Sequence, residues 1–367
     1  MSTELNLSTK KDYKRNLGLD LLRIISMFMV LLLHILGQGG VLNALDSSSP
    51  KYAVAWFIEI AAYCAVNCYA LISGYVGIRS KYKYSNIAFL WIQTVFYTLL
   101  ITLIFSIFKH DELTANSYWT AVLPVTKRAY WYFTSYFCIF FFIPAFNHIV
   151  NTMKKAQLKA MIISIIVIFS LIYTLARSNI IGSAVDDLFV TGKGYSPIWL
   201  ALLYVVGAYI SKYCEDFKMP PYLCFVLYFV SIIITLIEHL TVKKSVLVGY
   251  TSPTILFCGI ILLIGFSQLK INKLGGIISF FAPLSFSVYL IHVNPLVWKH
   301  FMKDRFTEIA ALSLPQMVLC ILITAVCLYL ICSAIDLIRH YLFKLLKLKH
   351  GLMLLENKLI KDLWNQP

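Results

Sequence analysis

Residues 15–35 read RNLGLDLLRIISMFMVLLLHI. From Leu17 the run is apolar over about 20 residues, the length that crosses a hydrocarbon core of roughly 30 Å as a helix, yet it carries Asp20, Arg23 and His34. Ionisable groups at that depth are costly, and a spanning helix that keeps them turns them toward a protein interior or a wet cavity. They are therefore the first candidates for function. Arg23 and His34 stand eleven residues apart. Eleven steps of about 100° return to within roughly 20° of the starting direction, so both lie on one face, about 16 Å apart along the axis.

The rest of the chain agrees with a lipid solvent. Of 367 residues, 60% are hydrophobic and only 13% charged, with a mean hydropathy of +0.77, which is more apolar surface than a core surrounded by water can hide. Runs of about 20 apolar residues recur at 17–36, 53–76, 86–108, 130–150, 158–175, 197–211, 222–240, 252–269, 277–298 and 315–342, the sixth being the shortest. The expected fold is an all-α polytopic membrane protein of about ten transmembrane helices. Among the 32 Lys and Arg, 20 fall on the side of the N-terminus, 11 on the other, and Arg23 lies within a span. The positive-inside rule then puts both termini in the cytoplasm, and an even helix number agrees.

The net charge of +15 accordingly reads first as a topology signal and second as affinity for anionic headgroups or an anionic substrate. A nucleic-acid partner is not expected. The nine cysteines lie mostly in apolar runs without His or Asp at metal spacing, so they read as small buried hydrophobes and no metal is expected. There is no cleavable signal and no internal repeat. Residues 1–342 read as one transmembrane domain. The tail, 343–367, places Leu and Ile between lysines without spanning length and is expected to lie along the inner leaflet as a basic amphipathic helix. Of the two longest loops, both external on this topology, 176–196 (ARSNIIGSAVDDLFVTGKGYS) has the composition of a solvated connection or of a loop near a polar ligand.

Arg23 is about six residues into its span from the cytoplasm and His34 about seventeen. A guanidinium matches phosphoryl oxygens bidentately, and an imidazole transfers protons near neutral pH. An anionic donor held by its phosphates at the inner face, with a flexible arm reaching outward, fits both, and coenzyme A has that shape. A plainer account lets Arg23 snorkel and pair with Asp20 while His34 sits in the outer interface.

Other polar groups fall at compatible depths. Glu59, about level with His34, could orient or polarise the imidazole as a carboxylate does in a catalytic triad. The loop RSKYKY (79–84) offers Arg79, Lys81 and Lys83 to the phosphates, or serves as a topology signal and lipid contact. In RAYWYFTSYFCIFFFIPAFN (128–147), Tyr130 and Trp131 suit an aromatic belt and equally a stacking platform for a carbohydrate acceptor. In PLSFSVYLIHVNPLVW (283–298), His292 and Asn294 are either cavity groups or structural hydrogen-bonders.

Taken together these stretches resemble the membrane-bound acyltransferase 3 family of bacterial polysaccharide and lipid-sugar O-acyltransferases. Arg23 and His34, within LDLLRIISMFMVLLLHI, match the family's pattern of Arg, ten residues, His. AVNCYALISGYVGI, YWYFTSYFCIFFFIPAFN and PLSFSVYLIHVNPLV follow in the order of its later landmarks. The resemblance implies ten helices in the bacterial cytoplasmic membrane and an acyl-CoA donor, with acetyl-CoA the expected one. It also implies an outer-face hydroxyl acceptor on an envelope polysaccharide or lipid-linked sugar. Arg23 would bind the donor and His34 would act in catalysis, as general base or as transient acyl carrier. One departure stands out: many members carry a second Arg three residues after the first in the inner loop, whereas Arg79 is followed at that spacing by Tyr82, leaving Lys81 and Lys83 as substitutes. The alternative is a transporter or flippase for an acyl donor or glycan precursor, with Arg23 and His34 lining its path. Such proteins show inverted repeats and matched broken helices. A scaffold without catalysis leaves the aligned pair unexplained.

Overall fold

The computed structural model describes residues 15–178, 182–214, 218–242 and 245–364. Lys10, Lys11, Lys14, Lys243 and Lys244, which entered the charge count, lie outside the described residues, as does the side chain of Lys361. Helix makes up 78% of the structure, and no strand occurs among the described residues.

Seven helical segments are long and apolar enough to cross a membrane: Leu17–Ala44, Pro50–Gly77, Tyr84–Phe108, Lys155–Arg177, Pro221–Thr241, Gly275–His292 and Leu314–Leu345. An eighth is counted when Trp131–Phe140 and Ile143–Thr152, bent by 59°, are taken as one span. Two shorter apolar helices, Pro197–Tyr213 and Pro253–Ser267, are about 26 and 22 Å long at 1.5 Å per residue, less than the roughly 30 Å of a bilayer core. All ten apolar runs are thus helical, and seven or eight of them have spanning length.

We number the helices α1 (Leu17–Leu33), α2 (Pro50–Ala62), α3 (Ala65–Gly77), α4 (Tyr84–Phe108), α5 (Trp131–Phe140), α6 (Ile143–Thr152), α7 (Lys155–Ile166), α8 (Pro197–Tyr213), α9 (Pro221–Thr241), α10 (Pro253–Ser267), α11 (Gly275–Phe281), α12 (Ser285–His292), α13 (Leu314–Leu345) and α14 (Leu348–Trp364). Three begin with a Ser–Pro pair. Ser49, Ser196 and Ser252 accept from the backbone N–H groups of Tyr52, Trp199 and Ile255, while the proline that follows needs no donor partner in the first turn. Asn16 caps α1, and its amide also donates to the Ser267 carbonyl at 2.8 Å, tying the start of α1 to the end of α10.

Helix α1 runs through the middle of the bundle, touching α2, α3, α10, α11, α12 and α13. Helices α3 and α8 approach closely at two glycines. A Cβ on Gly74 would lie 1.9 Å from the Tyr204 carbonyl oxygen, and one on Gly207 would lie 2.0 Å from that of Leu71, so glycine at both positions lets the backbones touch, as small residues do in membrane bundles. Polar groups freed by breaks are satisfied from neighbouring helices. Where α2 gives way to α3, the Ala61 carbonyl accepts from the Tyr228 hydroxyl at 2.7 Å. The kink between α5 and α6 is followed by Pro144, a common cause of such bends.

Two contacts near the end of the chain tie charged residues into the bundle. Arg339, counted among the inner cations, is buried and forms a two-pronged ion pair with Asp336 at 2.8 Å; Asp336 also accepts from the Tyr97 hydroxyl. This is an internal pair and not a headgroup contact. The domain boundary expected at 342 falls inside the last turns of α13, and α14 rests against α4, where Glu356 accepts from the backbone N–H groups of Tyr84 and Ser85.

Candidate active site

Arg23, Met27, Val30 and His34 sit at i, i+4, i+7 and i+11 of the first span, a single stripe, and every one of them lines a cavity. Arg23 borders a basin of about 860 Å³, on the side expected to be inner, shared with Arg15, Asp20, Arg79, Lys81, Lys83 and Lys349. It also borders a neighbouring pocket of about 200 Å³ that reaches Tyr82 and Tyr136. Met27 and Val30 border a constriction of about 50 Å³ walled by Tyr69, Tyr132, Phe286 and Tyr289. His34 lines both that constriction and an outer vestibule of about 400 Å³. One face of α1 therefore borders a series of cavities, with a cation at one end of the series and an imidazole near the other.

At the inner end Asp20 takes both Arg15 and Arg23, the latter at 2.6 Å. The pairing of Arg23 with Asp20 is thus real, but one contact does not use up a guanidinium with five N–H donors, and the side chain keeps 31% of its surface exposed. Arg79 is anchored by Ser211, through the hydroxyl at 2.7 Å and the carbonyl. Among the described residues lining this basin, six are cations and one, Asp20, is a carboxylate, a balance that suits an anion.

The outer end resolves a protonation question. A carbonyl oxygen can only accept, so the 2.5 Å contact between His292 Nδ1 and the Val288 carbonyl puts a proton on His292 Nδ1. A neutral His292 then offers a lone pair at Nε2, and the 2.9 Å contact from His34 Nδ1 must be a donation by His34. That leaves the lone pair of His34 on Nε2, without a hydrogen-bond partner among the described residues. Trp298 meets the His34 ring edge-on at 4.9 Å. His34 also opens a π-helical turn, His34–Gln38, a local widening common at functional sites. The backbone carbonyls that follow are taken up by the N–H groups of Asp304 on Gln38, at 3.0 Å, and Phe306 on Gly39, at 2.9 Å.

Aromatic rings wall the vestibule. Trp131 lies 4.6 Å from Tyr195 and 6.2 Å from Tyr250, the latter pair stacked, and Tyr195 and Tyr250 are 4.9 Å apart. Glu59 lines the same space. Its Oε2 is buried without a partner, a costly state for a carboxylate oxygen that a donor entering the vestibule would relieve.

A family model described as an acyltransferase domain, Acyl_transf_3, matches residues 16–343. This chain belongs to the acyltransferase 3 family. No curated protein and no solved structure matches it. Membership makes the chain a membrane acyltransferase, and the transporter reading yields to it.

Within this acyltransferase the residues singled out from sequence divide into three groups. Arg23, Arg79, Lys81 and Lys83 meet at the inner basin. His34, Glu59 and Trp131 meet at the vestibule. His292 and Tyr130 line neither space, and Asn294 borders a separate cavity of about 110 Å³ with Thr98, Thr102 and Asn116. Glu59 makes no hydrogen bond to His34; the partner of Nδ1 is His292, because α12 packs against α1 at that depth. The buried Tyr130 hydroxyl donates to the Leu290 carbonyl at 2.9 Å and accepts from Asn294 at 3.1 Å. Asn294 also accepts from the Leu296 N–H. Both residues brace the break after α12, and Tyr130 lines neither the constriction nor the vestibule.

Sequence reasoning missed Tyr63, Tyr195, Tyr250 and Trp298 in the vestibule and Tyr69 at the constriction. Tyr195 lies in the loop 176–196, whose composition suited a solvated connection or a loop near a polar ligand. Tyr69 lies inside a stretch that carried the family resemblance, where its hydroxyl donates to the Arg23 carbonyl at 2.8 Å. Among the described residues no group of His, Cys, Asp and Glu gathers at metal-binding distances, and the nine cysteines are all free thiols.

Proposed function

We propose that this acyltransferase moves an acyl group, acetyl in the first instance, from cytoplasmic acyl-CoA to a hydroxyl of an envelope polysaccharide or lipid-linked sugar at the outer face of the bacterial cytoplasmic membrane. All ten apolar helices cross, α8 and α10 as short helices packed among the others, and both ends of the chain face the cytoplasm. The observation that carries this reading is the free lone pair of His34 Nε2 at the junction of constriction and vestibule, on the same helix face as Arg23 in the basin.

The chemistry follows from those positions. The cations of the basin hold the donor's phosphates, and its arm runs outward along the stripe of Met27 and Val30, over the roughly 16 Å between Arg23 and His34. His34 Nε2 takes the proton of the acceptor hydroxyl, the oxygen attacks the thioester carbonyl, the C–S bond breaks, and the thiolate leaves and is reprotonated from the imidazolium. Glu59 accepts a hydrogen bond from a second hydroxyl of the acceptor, and Trp131, Tyr195 and Tyr250 give its rings a surface to pack on.

The test is acetyl transfer in proteoliposomes with labelled acetyl-CoA on the Arg23 side, comparing wild type, Arg23→Ala and His34→Ala, with acetyl-CoA binding measured on the same preparations. The expected outcome is binding without transfer in His34→Ala and loss of both in Arg23→Ala. Full transfer by His34→Ala removes the imidazole from the reaction.

A further inference from the structure

The family domain ends at residue 343, and helix α14 lies wholly beyond it, yet α14 reaches back to the inner basin. Lys349, Met353 and Glu356 fall at i, i+4 and i+7 on a single face of that helix. Lys349 and Met353 line the basin beside Arg15, Arg23, Arg79 and Lys83, and Met353 Sδ lies 4.0 Å from Lys83 Nζ. Leu354 and Leu355, off this face, are more than half exposed.

Glu356 shows what seats the helix there. The first N–H groups of a helix have no partner within it, and Lys83, at the N-cap position of α4, supplies no side-chain bond. Glu356 fills the role from another element: one carboxylate oxygen accepts from Tyr84 N–H at 2.6 Å and the other from Ser85 N–H at 3.2 Å. A carboxylate at the positive end of a helix is favourable in charge as well. The same contact that caps α4 sets where α14 sits relative to the basin, and so where Lys349 points.

We propose that α14 is a wall of the donor site, with Lys349 as a phosphate contact for the acyl-CoA donor and Glu356 as the clamp that positions it. This rests on the reading of the basin as the donor site. It adds to that reading a binding residue and a positioning residue outside the family domain. An alternative source of the same chemistry, the phosphate of a lipid headgroup, is separated by the experiment.

Coenzyme A binding is measured by calorimetry on the full-length protein in nanodiscs of phosphatidylcholine, and again with part of that lipid replaced by phosphatidylglycerol. Lys349 is exposed, so its substitution leaves the fold intact. Lys349→Ala is expected to weaken binding about two- to fivefold and Lys349→Glu about tenfold or more, with both losses shrinking as salt is raised. Glu356→Gln separates a clamp from a bystander by the sign of its effect. Deleting a negative charge near a cationic basin strengthens anion binding if α14 stays where it is. If Glu356 is the clamp, affinity falls and amide exchange across residues 348–359 accelerates. Wild-type binding with unchanged affinity in both Lys349 variants overturns the proposal and leaves the donor reading standing, whereas no coenzyme A binding by wild type overturns both. A Lys349 effect confined to phosphatidylglycerol discs makes it a lipid contact and overturns the proposal, as does tighter binding by Glu356→Gln.

Discussion

Replacing His292 tests the proton assignment at His34 without touching the imidazole that would act as base. In the structure His292 accepts from His34 Nδ1 at 2.9 Å and donates to Val288 at 2.5 Å, and this relay holds the lone pair of His34 on Nε2, facing the cavities. In His292→Leu the Nδ1–H of His34 loses its acceptor. An orphaned buried donor costs about 1–3 kcal/mol, so the opposite tautomer, with its proton on Nε2 and no lone pair toward the acceptor, gains by that amount. At about 1.4 kcal/mol per factor of ten, kcat is expected to fall about 5- to 150-fold. Most of that range lies below the about 10²- to 10⁴-fold loss expected when a general base is removed outright. The KM for acyl-CoA should not change, because His292 lies outside the basin. His292→Gln retains both functions, an amide N–H for the Val288 carbonyl and an amide oxygen for His34, and should recover most of the loss. The assay is steady-state acetyl transfer in proteoliposomes with kcat and KM determined separately. A Leu variant with wild-type kcat, or a Gln variant no better than Leu, refutes the tautomer argument and leaves His292 as packing.

Two further predictions concern the frame around the site. Gly207→Ala places a methyl 2.0 Å from the Leu71 carbonyl oxygen, with backbone on both sides, and should lower thermal stability in detergent by about 1–3 kcal/mol or more, whereas Gly276→Ala, where a Cβ meets nothing within 4 Å, should stay within about 0.5 kcal/mol of wild type; equal midpoints would refute the close α3–α8 contact. Glu112, in the turn after α4, accepts from Lys299 at 2.9 Å and also meets Lys109 and His300. These contacts, Lys299 foremost, hold its carboxyl at about 2, below the usual 4.5, against a smaller opposing effect of burial. A depressed pKa stabilises the folded state fully above the ordinary value and is lost as pH falls through the folded one. The stability difference between wild type and Glu112→Gln should therefore be constant between about pH 7 and pH 5 and shrink below about pH 4. A difference already gone at about pH 5 would refute the pairing.

Much of this architecture follows from local pattern. Runs of apolar residues set the helices, because a helix in lipid satisfies its own backbone and needs only length and hydrophobicity. The alignment of Arg23 with His34 follows from 3.6 residues per turn alone, and both residues do line one face of α1. The choice of partners is different in kind. Glu59 shares the vestibule with His34, yet the hydrogen bond to Nδ1 comes from His292, 258 residues away in the chain. Tyr130 and Asn294, from segments far apart in the chain, are hydrogen-bonded to each other. The tail, whose composition reads as a basic amphipathic helix, also caps α4 through Glu356. Periodicity constrains the azimuth of a side chain around its own helix axis. Which groups come within about 3 Å depends on the relative rotation and depth of two helices. Those are set by close contacts such as Gly74 against Tyr204 and by the breaks after Ala62 and Phe281, so local pattern suffices for the membrane helices and for the shared face of Arg23 and His34, whereas the partner of His34 Nδ1 emerges only when α12 docks on α1.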